Sequence, residues 1–120
     1  YRLRLGLVRA VPRPRSASLV WVAPEVPHDE TTMLAERIAA ATSFLEFEPD
    51  GRAFKAHVTL CRARRPRRVS TEALDAVEHV LRRADERSAC VSVREVTLFS
   101  SVLTPRGPVY EELAIIPFGG

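Results

Sequence analysis

The sequence predicts an α+β fold, a mainly antiparallel sheet with two helices on one face, and three observations point to it. Runs with strand-type alternation or β-branched residues lie at both ends and in the middle of the 120-residue chain. Two intervening segments repeat apolar residues at helical spacing, each behind a residue suited to cap it. Tight-turn chemistry is mixed with helical crossovers, giving the order β-β-α-β-α-β-β.

Residues 1–11 set Tyr1, Leu3, Leu5 and Leu7 against Arg2, Arg4, Gly6 and Val8, a strand with one solvated face. Pro12-Arg13-Pro14-Arg15 breaks it, and residues 18–22 (Ser-Leu-Val-Trp-Val) read as a more buried strand. Pro24 and Pro27 end that run. Asp29 or Thr31 can cap a helix reaching about Leu45, with Leu34, Ile38, Ala41 and Leu45 along one stripe. Pro49-Asp50-Gly51 then leads into a strand over residues 54–64. Ser70 caps a second helix whose stripe is Leu74, Val77, Leu81 and Ala84. Residues 91–103 form a long, bulged strand, Thr104-Pro105-Arg106-Gly107 is a tight reversal, and residues 110–118 return. There is no repeat or linker, so residues 1–120 read as one domain. Tyr1 already belongs to a strand pattern, so the chain reads as beginning inside a larger fold.

Composition narrows the function classes. Hydrophobic content of 46% and charged content of 28% are those of an ordinary globular protein, and no apolar run reaches the ~18 residues of a membrane span. Net charge is +3, and 17 of the 18 basic residues are arginine, whose planar fork matches phosphate oxygens. The two cysteines, Cys61 and Cys90, form neither a disulfide framework nor a metal signature, which points to a reducing cytoplasm. Cys61, inside a strand, reads as a small buried residue.

The chemistry concentrates at His57-Val58-Thr59-Leu60-Cys61-Arg62. In a strand His57 and Thr59 share one face while Val58 and Leu60 take the other. The apolar pair belongs in the core. Burying the polar pair without partners would cost roughly 1–3 kcal/mol per group, so it faces water, a cleft or a ligand. Arg62, Arg64, Arg65, Arg67 and Arg68 follow, and imidazole, hydroxyl and guanidinium together suit a phosphate ester. The run from Arg64 to Arg68 reads as a solvated loop or an RNA contact. Strict alternation puts Arg62 on the face away from the histidine. A bulge or the strand's exit twist would bring it back.

With these residues in view, the chain resembles the RNA 2′,3′-cyclic phosphodiesterases, once called 2′-5′ RNA ligases, of the two-histidine phosphoesterase superfamily. Residues 52–62 resemble the family's second histidine motif, 96–110 its C-terminal hairpin, and 18–22 the strand that opens its second lobe. Ala56 stands where the family usually has proline. The family has two such motifs, one per pseudo-symmetric lobe, and this chain has one. His28 in Pro27-His28-Asp29-Glu30 reads as a loop or helix-start residue, and His79 as a surface residue of the second helix.

The resemblance implies that this chain is the second lobe and that the first lobe, with the first histidine, lies upstream or on a second chain. It implies opening of a 2′,3′-cyclic phosphate at an RNA or nucleotide end, and 2′-5′ ligation, by acid/base catalysis without a metal or other cofactor. His57 would be one member of the acid/base pair, Thr59 a donor to phosphate, and Arg62 the phosphate-contacting basic residue. Tyr110 would stack on a nucleobase or pack in the core. One imidazole cannot serve both apices of an in-line displacement, so a second group is required. Two other readings fit the residues: a non-catalytic module binding RNA or nucleotide phosphate, and an interaction domain with an incidental histidine.

Overall fold

The first strand, β1 (Arg2–Val11), runs antiparallel to β2 (Ala17–Pro24) in a computed structural model that describes residues 1–26, 29–48 and 50–119. A 3-10 turn over Pro14–Ser16 joins them. The third strand, β3 (Val58–Arg67), adds antiparallel to β2, and a short β4 (Cys90–Ser92) completes the sheet in the order β3-β2-β1-β4. Helices α1 (Asp29–Thr42), α2 (Thr71–Arg83) and α3 (Glu86–Ala89) lie between the strands in sequence. The hairpin of β5 (Glu95–Thr104) and β6 (Gly107–Pro117) is a separate two-stranded sheet. The fold is α+β with an antiparallel sheet, as the sequence implies, and α3 makes three helices rather than two.

A bulge corrects the alternation read in β1. Leu5 pairs with Pro24 and Leu7 with Ala23, so Gly6 is an extra residue against β2. Leu3 and Leu5 before the bulge therefore share a face with Val8 and Ala10 after it. Val8 is 2% exposed, and Leu3, Ala10, Ala17, Val22 and Ala89 are the other buried core residues. Leu7 turns to the opposite face. Gly6 is required by close approach: a Cβ there would lie 3.0 Å from Cβ of Glu25, whose N–H donates to the Arg4 carbonyl at 2.8 Å.

Helix α2 packs against β1. The Ser70 hydroxyl caps it by accepting from the Ala73 N–H at 3.1 Å, as the sequence indicated. Glu78 accepts from the Val8 N–H at 2.9 Å and pairs with Arg9 and Arg82, both at 3.1 Å. It thus satisfies a donor on the edge of β1 that no strand covers there. At the far end Arg4 donates to the carbonyls of Arg82 and Ala84 at 3.2 and 3.1 Å, closing α2's last turn. Asp85 caps α3, and its hydrogen bond from Ser88 lowers the carboxyl's pKa.

Other boundaries differ from the sequence reading for identifiable reasons. Helix α1 stops at Thr42, whose hydroxyl donates back to the Ile38 carbonyl, and a 3-10 turn over Ser43–Leu45 follows. Ile38 and Leu45 of the expected stripe are exposed. Pro27, His28 and Pro49, with the readings placed on them, lie outside the described residues, as does the N-cap position of α1.

The strand expected over residues 54–64 runs instead from Val58 to Arg67. Its ladder begins opposite Val22, close to Pro24, which has no N–H to extend it. The arginine segment expected to be a loop is thus strand, and Pro66 is tolerated because β3 is a sheet edge. That edge position also leaves Val58, Leu60 and Cys61 exposed rather than buried.

The chain divides into two compact units: Arg2–Val91, and Tyr1 with the residues from Ser92 onward. In the second unit the expected long strand breaks at Val93 and Arg94. Val93 there exchanges backbone hydrogen bonds with Tyr1, and the Arg94 carbonyl accepts from Phe118. The hairpin turns at Gly107, whose φ of 116° disfavours any side chain, and the Thr104 hydroxyl donates to the Gly107 carbonyl at 2.6 Å.

Candidate active site

His57 sits immediately before β3, and its ring rests on Trp21 of β2 with centroids 4.1 Å apart and planes tilted by 46°. Its Nδ1 lies 2.7 Å from the Lys55 carbonyl oxygen. A carbonyl can only accept, so Nδ1 carries the hydrogen in this contact and Nε2 is left without it. Two contacts, one polar and one aromatic, therefore fix the imidazole while leaving it exposed. Upstream, Asp50 accepts from both the backbone and the guanidinium of Arg52, and this pairing lowers the Asp50 carboxyl's pKa.

Register places the other two motif residues. Thr59 pairs with Trp21, so it shares the face on which Trp21 meets His57. Cys61 then pairs with Val20, which leaves Leu60 as an extra residue, and Arg62 pairs with Leu19. Leu19 and Trp21 are two apart on β2 and point the same way. The bulge at Leu60 therefore returns Arg62 to the face of Thr59 and His57. Of the two devices that could do so, the bulge is the one present.

On this face an open cleft of about 530 Å³ is lined by Leu7, Arg9, Trp21, Ala23, Phe54 and Lys55, with Thr32 of α1 at its border. Leu7 reaches it only through the bulge at Gly6. His57, Thr59 and Arg62 share the face but are not part of the cleft's lining. Arg9 in the cleft is held by Glu78, whereas Arg62, outside it, makes no ion pair among the described residues. Trp21 buries its Nε1–H without a partner among the described residues, so the indole is held by packing and by the imidazole.

Sequence reading missed Trp21, Leu7 and Arg9 as neighbours of the motif. A tryptophan in a β-branched run reads equally well as core, and only register reveals what it faces. Gly6 inside a strand pattern was the one available signal of a bulge. Tyr110 lies on the hairpin, 65% exposed and edge-to-face with Phe99 at 6.4 Å, and is not in a core. His79 is an exposed residue of α2. Among the described residues, no three His, Cys, Asp or Glu side chains gather as a metal-binding group, and no helix is long and apolar enough to cross a membrane.

The chain is similar to known proteins. The model of a family described as LigT like Phosphoesterase matches residues 20–110, which contain Trp21, His57, Thr59, Arg62 and Tyr110. An RNA 2′,3′-cyclic phosphodiesterase of Archaeoglobus fulgidus is 33% identical over 115 residues, covering 96% of this chain and 61% of that protein. A protein of the same name from Aeropyrum pernix is 30% identical over 114 residues, covering 94% of this chain and 62% of its own length. The chain thus spans about three-fifths of the length of these curated relatives.

Proposed function

Because the chain belongs to the LigT-like phosphoesterase family, we propose that it supplies one half of an acid/base site that opens 2′,3′-cyclic phosphate ends of RNA. The observation that carries this reading is the common face of His57, Thr59 and Arg62, with Nε2 of His57 free to exchange a proton. Water attacks phosphorus, and the bond to one ribose oxygen breaks. The water's proton goes to a base, and the departing oxygen takes a proton from an acid on the opposite side. The products are a phosphomonoester and a free hydroxyl. His57 serves one apex through Nε2. Thr59 donates to a non-bridging oxygen, and Arg62 balances charge on the equatorial oxygens. No step in this scheme calls on a metal. With a ribose hydroxyl as the nucleophile or leaving group in place of water, the same groups make or break a 2′-5′ linkage.

A second acid/base group is still needed, and it lies in the part of the protein that corresponds to the relatives' unmatched length. Residues 1–120 are then one lobe of a larger enzyme. Its two unpaired cysteines suit a reducing compartment such as the cytoplasm. The test is release of phosphomonoester from a dinucleotide ending in a 2′,3′-cyclic phosphate. In a protein extended upstream, or in this chain mixed with the upstream fragment, His57→Ala should cost about 10²–10⁴ in rate and leave the fold intact. The 120-residue chain alone should bind the cyclic end weakly and turn it over slowly. Full activity from the isolated chain would overturn the division into halves. Binding without turnover by the extended protein would instead favour a non-catalytic phosphate-binding module.

A further inference from the structure

Beyond Arg62 the sheet continues into a strongly basic surface that the cyclic-phosphate chemistry does not use. Arg64, Arg65, Arg67 and Arg68 follow along β3 and its exit, and Arg13 and Arg15 stand on the turn between β1 and β2. Two contacts bring the groups together. Ala17 pairs with Arg67, and the Val69 N–H donates to the Pro14 carbonyl at 2.8 Å. Arg15 and Arg68 line the same depression at the start of α2.

All six guanidiniums are on exposed residues. Arg2, Arg4, Arg9, Arg52 and Arg82 each pair with a carboxylate, whereas none of the six does among the described residues. Glu72, which borders the depression, makes no ion pair there either. The chain holds 18 basic and 15 acidic residues, so without these six the balance would be 12 against 15. A third of the chain's basic residues thus gather at this end of the sheet.

We propose that this surface is a track for the phosphodiester backbone of the substrate, so the favoured substrate is an oligoribonucleotide rather than a mononucleotide. This rests on the cyclic-phosphate reading for where the strand's end lies, with Arg62 as the junction. Along β2 the partners of Thr59 and Arg67, Trp21 and Ala17, are four residues apart, about 13 Å at ~3.3 Å per residue. The turn with Arg13 and Arg15 lies beyond Ala17, which gives room for more than one nucleotide of an extended chain. Unpaired, exposed arginines suit that partner because each phosphate they neutralise releases a counterion. Arginines and Pro66 would also keep an open strand edge from pairing with other chains, but edge protection does not call for arginines on the turn beyond β1.

The test is fluorescence anisotropy with 5′-labelled oligoribonucleotides of two, four and eight residues ending in a 2′,3′-cyclic phosphate, read across a salt series. Affinity should rise by about tenfold or more from the shortest to the longest. In Arg64→Gln/Arg65→Gln/Arg67→Gln the loss should grow with length, and the slope of log K against log salt should fall by about 2, at ~0.7 per single-strand phosphate contact. If that variant aggregates, Arg13→Gln/Arg15→Gln on the turn carries the same test with a smaller change in slope.

Length-independent binding, or an unchanged slope in a folded variant, overturns the track and leaves the cyclic-phosphate reading standing. Equal competition by a polyglutamate peptide assigns the surface to an acidic protein partner and also overturns it. Length-dependent binding that is the same for oligonucleotides ending in a 3′-hydroxyl supports the track while removing the cyclic-phosphate site.

Discussion

β1 and β3 flank the same strand, and each carries a one-residue bulge against it, at Gly6 and at Leu60, with a further irregularity in β3 between Arg62 and Arg67, yet the two bulges have opposite consequences. In β1 the extra residue is Gly6, and the strand is interior, with β2 on one side and α2 and β4 on the other. The bulge there drives Val8 into the core and sends Leu7 to the cleft. In β3 the extra residue is Leu60, and the strand is an edge with exposed side chains. There the bulge leaves the core unchanged and swings a charge, Arg62, onto the face of His57. One backbone device sets packing in an interior strand and the placement of an exposed charge at an edge, because what lies on each face decides the result.

Truncation to alanine should separate the two strands most strongly. Val8→Ala removes buried methyl groups and should cost about 2 kcal/mol. Leu60→Ala removes a side chain 52% exposed in the structure and should change stability by less than about 0.5 kcal/mol. Urea unfolding of both variants measures the difference, and equal losses would break the contrast. A smaller effect is expected at Gly6. The Cβ of Gly6→Ala would press on Glu25 at 3.0 Å, and the strand should lose about 1 kcal/mol as that neighbour shifts. A stabilised Gly6→Ala would mean that the close approach constrains nothing.

These two strands also show where the sequence is readable. The pairing of His57 with Thr59 needs only a period of two, and the Trp21 contact agrees with it. The Ser70 cap and the Gly107 turn follow from local chemistry, and both are present. The core residue Val8 was misplaced, because alternation carried through Gly6 shifts every later residue by one. Arg62 was placed on the wrong face by the same rule, and only its resemblance to a phosphate-binding arginine signalled a bulge. The expected burial of Val58, Leu60 and Cys61 failed for another reason. Nothing in a strand's own residues says whether it lies at an edge or in the middle of a sheet. Partner choice and register are long-range properties, and a glycine within a strand is the nearest local trace of them.

The central claim is that the Leu60 bulge joins Arg62 to His57 and Thr59 in one phosphate site. The most direct measurement is an NMR titration of this chain with a 2′,3′-cyclic mononucleotide, following the His57 ring protons and the Arg62 Nε–H. It is run on the native chain and on the variant Cys61→Arg/Arg62→Cys, which moves the guanidinium to the opposite face of the bulged strand. In the native chain both signals should move together with one dissociation constant. In the exchange variant the arginine response should vanish, and affinity should fall by about tenfold or more, as for loss of a charge-assisted hydrogen bond. Perturbation of His57 without Arg62 in the native chain, or an unchanged affinity in the exchange variant, would contradict the account.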